Sequence, residues 1–188
     1  MPDPLPQAQQ IRIIGGCWRG RRIRFPAVAD IRPTPDRVRE TLFNWLGQDL
    51  DGASTLDLFA GSGALSFEAL SRGAALAVAV DRNAELVRAL AATARTLATA
   101  ALETHCADAH AFLGRESRLF DIVFLDPPFA VPRWETLLPA AAARVASAGA
   151  LYVEASAPVV APDGFAIARG DKAGQVHYHL LRRLPGNA

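Results

Sequence analysis

The chain has 188 residues, of which 51% are hydrophobic and 21% charged, and this composition favours one globular domain over a disordered, fibrous or multi-domain protein. Cys17 and Cys106 have no CxxC spacing and no nearby histidine at metal-ligand spacing, which argues against a disulfide framework or a structural zinc site and favours the reducing cytoplasm. The longest stretch without a charged residue is the ten residues 58–67, too short for a membrane-spanning helix of about 20 residues. Three prolines among the first ten residues argue against a secretory signal.

The net charge of +1 is unevenly distributed, because residues 1–50 carry eight arginines and five acids. Five of these arginines fall between residues 12 and 24 with no acid among them. A guanidinium group binds phosphate oxygens in pairs and stacks on bases, so the run predicts a nucleic-acid-binding surface. The alternative interpretation is a compositional bias, since Lys172 is the only lysine.

The N-terminal quarter predicts a small module of its own. Residues 1–10 are rich in proline and predict a disordered tail, as do residues 185–188. Residues 12–14 and 22–25 predict a hairpin with an exposed arginine side, whose turn Gly15 and Gly16 would supply. Residues 36–46 predict a helix that begins near Pro35.

From residue 54 the pattern alternates between apolar strands and amphipathic helices. Strands are predicted at 55–59, 76–80, 102–106, 121–125 and 150–155, and helices at 64–72, 83–99, 107–113 and 134–145. Segments 164–169 and 175–181 predict a closing antiparallel hairpin around residues 170–174. Such alternation is typical of an open, doubly wound parallel sheet, which binds ligands at the carboxyl ends of its strands.

Two acids and a glycine loop follow the predicted strands. Gly61 and Gly63 stand between a strand and a helix, where backbone N–H groups can approach an electron-rich ligand; a purely structural turn is the alternative. Ser66 occupies the position at which the dinucleotide fingerprint has glycine or alanine, which leaves close helix–strand packing less assured. Asp81 follows about 20 residues later, where a carboxylate binds ribose hydroxyls, and Asp108 ends the third strand, where it could hold an adenine amino group. The three features predict a nucleoside ligand.

The strongest motif is Asp126-Pro127-Pro128-Phe129, directly after a buried strand. The prolines fix the backbone and remove two N–H donors, so that turn carbonyls can face a cleft. A carboxylate, a carbonyl and an aromatic face together suit a planar exocyclic amine. As an exposed group with an ordinary pKa near 3.9, Asp126 would be a weak base.

The tetrad and the upstream FAGSG loop resemble the S-adenosylmethionine-dependent methyltransferases that modify amino groups of bases. More closely, the chain resembles the bacterial RsmD family over nearly its whole length. The matching segments are 12–16 (RIIGG), 32–46 (RPTPDRVRETLFNWL), 56–74, 121–129, 151–154 (LYVE) and 172–180 (KAGQVHYHL). Cys17 and the arginine-rich, lysine-poor surface depart from the family's pattern.

The resemblance implies a single Rossmann-like class I methyltransferase fold over residues 51–184, with a mostly parallel seven-stranded sheet, a C-terminal antiparallel hairpin and an RNA-binding hairpin and helix at 11–50. It implies methylation of the N2 amine of a guanine, position 966 in the family's RNA, in 16S rRNA. The expected setting is a cytoplasmic monomer acting on the assembled or assembling small ribosomal subunit, without a metal or a membrane.

The resemblance also assigns roles to residues. The catalytic residues are expected to be Asp126, Pro127, Pro128 and Phe129. S-adenosylmethionine would contact Asp57, Phe59, Ala60, Gly61, Gly63, Asp81, Asp108 and Ala109. The RNA would contact Arg12, Arg19, Arg21, Arg22, Arg24, Arg32, Arg37 and Arg39, although Arg37 and Arg39 could equally form ion pairs with acids of the main domain.

Three other functions fit parts of the pattern. The tetrad recognises an amine without distinguishing the bases, so adenine N6 of DNA or RNA is an alternative acceptor. A ribosome-assembly protein that binds RNA without turnover is a second alternative, against which the intact motifs argue. A nicotinamide oxidoreductase is a distant third, because Ser66 and the proline tetrad fit it badly.

Overall fold

The computed structural model describes residues 9–28, 33–128 and 133–185. In chain order its elements are β1 (Gln9–Arg12), β2 (Arg22–Phe25), α1 (Asp36–Leu46), β3 (Ser54–Asp57), α2 (Ala64–Ser71), β4 (Leu76–Asp81), α3 (Ala84–Thr96), β5 (Leu102–Cys106), α4 (Ala109–Leu113), β6 (Phe120–Leu125), α5 (Trp134–Ala142), β7 (Val145–Ala155), β8 (Phe165–Ala173) and β9 (Val176–Arg183). None of the helices in these three ranges is long and apolar enough to cross a membrane.

The main sheet has seven strands in the order β5-β4-β3-β6-β7-β9-β8. Strands β3 to β7 are parallel, and β9 lies antiparallel between β7 and β8. This confirms the predicted fold class, including the antiparallel C-terminal hairpin. The strand order reverses between β3 and β6, and the crevice outside their carboxyl ends is where doubly wound sheets bind ligands.

Alternate strand residues supply the two core layers. Leu56 and Val123 face α4 and α5, whereas Phe124 and Tyr152 face α1, α2 and α3. Each fully buried Leu, Val or Phe contributes about 1.5–3 kcal/mol. The two layers therefore hold the strand ends of the sheet, and the residues attached to them, in fixed positions.

Several predicted boundaries differ from the structure. β1 begins at Gln9, inside the segment predicted to be a tail. β7 begins at 145, five residues before the predicted strand, because Val145 pairs with Phe120 of β6. The turn between β8 and β9 is at 174–175 and not at 170–174, since the two strands stay paired as far as Ala173 and Val176.

Gly15 and Gly16 do not form the tight turn predicted for the N-terminal hairpin. Their segment lies against the end of α2, where the Cys17 N–H donates to the Ser71 carbonyl at 2.7 Å and the Trp18 N–H donates to Ser71 Oγ at 2.9 Å. A Cβ atom on Gly16, whose φ is +73°, would lie 1.8 Å from the Ser71 carbonyl oxygen. Gly16 is therefore required for this close approach of two backbones.

A buried ion cluster joins the same hairpin to the main sheet. Glu68 and Arg39 are fully buried, and the Glu68 carboxylate accepts from Arg39 Nη1 at 3.3 Å, from Arg72 Nε at 3.0 Å and from the Ile14 N–H at 2.9 Å. Arg39 also donates to Asp36 at 2.6 Å. The prediction that Arg39 contacts RNA is therefore wrong, because phosphate cannot reach a buried guanidinium; the alternative of an ion pair with the main domain is confirmed.

Candidate active site

The glycine loop lies between the end of β3 and the start of α2. Gly61 and Gly63 have φ values of +52° and +80°, a left-handed conformation that favours glycine. A Cβ atom on Gly63 would lie 2.4 Å from Leu90 Cδ2 of α3. The Ala60 N–H donates to the Val80 carbonyl at 2.9 Å, which ties the loop to β4. The structure therefore gives a conformational and packing reason for these glycines, while the predicted close approach of the loop to a ligand stays a prediction.

Asp57 and Ser66 lie beneath the loop. Asp57 is 2% exposed, and Ser66, which is fully buried, donates its hydroxyl to Asp57 Oδ2 at 2.8 Å. Ser66 thus packs the helix against the strand, contrary to the concern that it would loosen them. Burial raises the pKa of Asp57 to about 7, with a further increase from the charge of Asp81 and an opposing effect of the Ser66 hydrogen bond. The Asp57 side chain supports the loop from within the core.

Asp57 makes stability depend on pH. The pKa of Asp57 is raised from an ordinary value of 3.8 to about 7 in the folded chain, so the folded state binds more protons than the unfolded state, and stability falls as pH rises from about 4 to 7. We expect Asp57→Asn to be more stable than the wild type by a few kcal/mol at pH 8, and by much less at pH 4. Urea unfolding of both proteins at both pH values measures this difference in stability. The same difference at pH 4 and at pH 8 would show that Asp57 titrates normally.

Asp81 ends β4 beside the glycine loop. Its Oδ2 accepts the Gly61 N–H at 2.9 Å and its Oδ1 accepts the Asn83 N–H at 2.8 Å. A carboxylate has about four acceptor positions, and its hydrogen bonds with the described residues leave two of them for ribose hydroxyls. The carboxylate is partly exposed. Asp81 therefore fixes the loop and has acceptors to offer a ligand.

Asp108 and Ala109 follow β5. Asp108 is the N-cap of α4, and its Oδ1 accepts the N–H groups of His110 at 3.0 Å and Ala111 at 3.2 Å. The side chain is exposed, so its second oxygen can accept a hydrogen bond from an amino group. Ala109 is buried. The capping bonds orient the Asp108 carboxylate, which the sequence did not indicate.

The acid–proline corner follows β6. Asp126 is partly exposed, Pro127 is buried and Pro128 is exposed, while Phe129 lies outside the described residues. The Thr34 hydroxyl donates to Asp126 Oδ2 at 3.3 Å. Burial raises the pKa of Asp126 well above its ordinary value, and the charges of Glu154 and Asp57 raise it further. Asp126 is thus a stronger base than the exposed carboxylate that the sequence suggested.

Thr34 and Glu154 are site residues that sequence reasoning missed. Glu154 is 7% exposed and accepts the Tyr152 hydroxyl at 2.7 Å. It lies beside Asp126, since β6 and β7 pair in register up to Leu125 and Val153. The sequence alone could have aligned Asp126 with Glu154 by their positions relative to the ends of β6 and β7. That alignment requires knowing that the two strands are neighbours in the sheet.

The arginine run forms an exposed face of the hairpin. On β1 and β2 the buried side chains are Ile11, Ile23 and Phe25. The exposed arginines are Arg12, Arg19, Arg21, Arg22 and Arg24, together with Arg37 on α1. Arg12 also pairs with Asp36 at 3.3 Å, and Arg32 lies outside the described residues.

A cavity of about 540 Å³ separates this face from the start of α1. Its lining includes Arg12, Arg22 and Thr34, and Thr34 is the residue that hydrogen-bonds Asp126. The guanidinium groups of Arg12 and Arg22 and the acid–proline corner thus lie next to the same short segment, residues 33–36. The cavity therefore lies next to the segment whose Thr34 hydroxyl contacts Asp126.

The seven-stranded sheet, with its glycine loop after β3, Asp81 after β4 and the acid–proline corner after β6, has the architecture of the Rossmann-like methyltransferases. The sequence profile described as "Conserved hypothetical protein 95" matches residues 11–182. "Ribosomal RNA small subunit methyltransferase D" of Escherichia coli (strain K12) is 41% identical over 180 residues, covering 93% of this chain and 90% of that protein. The protein of the same name from Haemophilus influenzae is 34% identical over 188 residues, covering 92% and 94% of the two chains.

The solved structure of the Escherichia coli protein yhhF gives the same result in three dimensions. It is 40% identical, has a TM-score of 0.84 and covers 94% of this chain and 99% of that one. The chain belongs to the RsmD family of methyltransferases.

Proposed function

We propose that this chain transfers the methyl group of S-adenosylmethionine to the exocyclic N2 amine of a guanine in 16S rRNA. The observation that carries the proposal is the position of the acid–proline corner: Asp126 follows β6, the strand paired with β3, and the glycine loop follows β3. An amine held at Asp126 and a cofactor held at the loop would therefore be neighbours. Family membership supports the same acceptor and the same RNA.

The residues at the strand ends fit S-adenosylmethionine. The free acceptors of Asp81 suit ribose hydroxyls, the second oxygen of Asp108 and the small Ala109 suit adenine, and the loop from Phe59 to Gly63 offers its backbone to the methionine part. Asp57 would act through the loop it supports. The acids at the ends of β3, β4, β6 and β7 suit the positively charged sulfur of this cofactor. When bound, the cofactor supplies a methyl group on a positively charged sulfur.

The protein's part in the reaction is orientation and electrostatics. The N2 lone pair of guanine is delocalised into the ring, so the amine is a poor nucleophile. The Asp126 carboxylate and the Pro127 carbonyl would each accept a hydrogen bond from the amine, which directs its lone pair towards the methyl group. Phe129 would stack on the base and offset part of the few kcal/mol lost when the base leaves its own stack.

RNA would bind across the arginine face, with the target base reaching Asp126 past Thr34. The substrate would be 16S rRNA in the assembled or assembling small subunit, and the enzyme a cytoplasmic monomer. The exposed arginines Arg12, Arg19, Arg21, Arg22, Arg24 and Arg37 would contact phosphates, and Arg32 is proposed with them from the sequence.

Single replacements of Arg22 and Arg24 by alanine test the arginine face. We expect each to raise the KM for RNA with little change in kcat. Each should also reduce the slope of log affinity against log salt by about 0.7–0.9, because one phosphate contact is lost. Arg115→Ala, an exposed arginine just after α4 on the opposite face of the sheet, is the matched control. Equal salt slopes for all the variants and the wild type would remove the hairpin from the RNA-binding surface.

Nucleoside mass spectrometry tests the proposed acceptor. Purified protein is incubated with S-adenosylmethionine and with small subunits, naked 16S rRNA or DNA, the subunits and the rRNA being taken from cells that lack this protein. We expect N2-methylguanosine in the ribosomal RNA. N6-methyladenosine would establish the alternative acceptor, and RNA binding with no methylated nucleoside would favour the non-catalytic assembly protein.

A further inference from the structure

Glu154 is a buried acid beside the proposed catalytic residue Asp126. β6 and β7 are parallel and in register up to Leu125 and Val153, so the next residues, Asp126 and Glu154, lie side by side. Residues in register on adjacent strands point to the same face. Phe124 and Tyr152, two residues earlier, do so, with ring centroids 6.4 Å apart. The two carboxyl groups thus face the same side of the sheet.

Thr34 connects the two acids. Its hydroxyl donates to Asp126 Oδ2 at 3.3 Å. Burial raises the pKa of Glu154, and hydrogen bonding from the Tyr152 and Thr34 side chains opposes this increase. Thr34 is buried and flanked by Pro33 and Pro35, and its carbonyl accepts from Arg39 Nε at 3.2 Å. The hydroxyl is therefore held in one place.

The arrangement couples the protonation of the two acids. A hydroxyl has one hydrogen to donate, so Thr34 can satisfy one carboxylate at a time. Among the residues that the structure describes, the other titratable groups facing the pair are Asp57 on β3, Tyr152 on β7 and Tyr178 on β9, and none of these three carries positive charge. Arg39, behind Thr34, directs its guanidinium to Glu68 and Asp36. Each carboxylate therefore increases the proton affinity of the other.

We propose that Glu154 is a positioning residue for methyl transfer, which together with Thr34 holds Asp126 as the acceptor of the proton that the amine loses. The inference rests on the proposed function. In the transfer, N2 forms a bond to the methyl carbon, the carbon–sulfur bond breaks and its electron pair stays on sulfur. One proton of the methylated amine then passes to the Asp126 carboxylate, and the charge of Glu154 favours this uptake.

Two substitutions test the role, because they act on Asp126 in opposite directions. E154Q removes the neighbouring charge, so the acidic limb of the pH profile of kcat should move to lower pH by about one unit, with kcat at pH 8 about tenfold lower. T34V removes the donor to Asp126, so the limb should move to higher pH. The KM for S-adenosylmethionine and RNA should stay within about twofold in both. A general loss of order in the site would not move the acidic limbs of the two variants in opposite directions.

The possible outcomes are distinguishable. Two results obtained with an active wild type would overturn the role of Glu154 alone. In the first, the acidic limb of the pH profile and the kcat of E154Q equal those of the wild type. In the second, the acidic limbs of E154Q and T34V move in the same direction. A wild type that methylates no nucleoside would overturn the proposed function and this role with it. If circular dichroism shows that E154Q is unfolded, the T34V variant tests the coupling. An acidic limb of its kcat profile at higher pH than in the wild type supports the coupling, and an unchanged limb overturns it.

Discussion

Asp126→Ala is expected to reduce kcat by about 10³-fold or more and to leave the Kd for S-adenosylmethionine within severalfold of the wild-type value. Asp126 is the carboxylate placed to orient the amine and, with Glu154 beside it, to accept its proton, and loss of one such group typically costs 10²–10⁴-fold. The proposed cofactor contacts are at the ends of β3, β4 and β5, so binding should survive. Single-turnover methylation and calorimetric titration with S-adenosylmethionine measure the two effects separately.

Asp121→Ala is the matched control, because it removes the same side chain from the opposite end of β6. Asp121 is exposed and accepts from the N–H and hydroxyl of Ser54, each at 2.8 Å. Its loss should leave turnover unchanged. Full turnover of Asp126→Ala would remove Asp126 from the reaction, whereas a loss of cofactor affinity as large as the loss of kcat would make it a binding residue.

Glu68→Ala is expected to lower the free energy of unfolding by about 3–5 kcal/mol. The substitution leaves two buried guanidinium groups, those of Arg39 and Arg72, without their shared carboxylate, and breaking one side of a buried ion pair costs this much. It also leaves the Ile14 N–H without its acceptor. Urea unfolding followed by circular dichroism measures the change.

Glu103→Ala is the control for this prediction, since it removes a carboxylate that also binds an arginine. Glu103 pairs with Arg118 at 2.9 Å, but both side chains are more than one third exposed, and exposed pairs contribute about 0–1 kcal/mol. We expect a correspondingly small loss of stability. Equal losses for the two variants would show that burial of the Glu68 cluster adds nothing to its strength.

The order of the elements was predictable because each strand and helix leaves a local pattern. The helix at 36–46 and the strand at 102–106 have the predicted bounds, since their apolar spacing and flanking residues lie within the segment itself. Strand ends such as Asp81 and Asp126 were predictable for the same reason. The parallel arrangement then brought them to one edge of the sheet.

Contacts between distant segments were not predictable in this way. Arg39 belongs to a run of arginines in the sequence, and only the fold brings it to Glu68, 29 residues away. Thr34 lies 92 residues from Asp126, and no local pattern connects them. Gly15 and Gly16 have the composition of a turn, but a Cβ atom on Gly15 would meet the Arg72 guanidinium group and one on Gly16 would meet the Ser71 backbone.

A crystal structure with S-adenosylmethionine bound tests the central claim most directly. The claim is that the ends of β3 and β6 bring a sulfonium donor and an amine acceptor together. The account predicts adenosine against Asp81 and Asp108, with the methyl carbon directed at the corner formed by Asp126 and Pro127. A cofactor bound in the same crevice with its methyl carbon directed away from this corner would contradict the account.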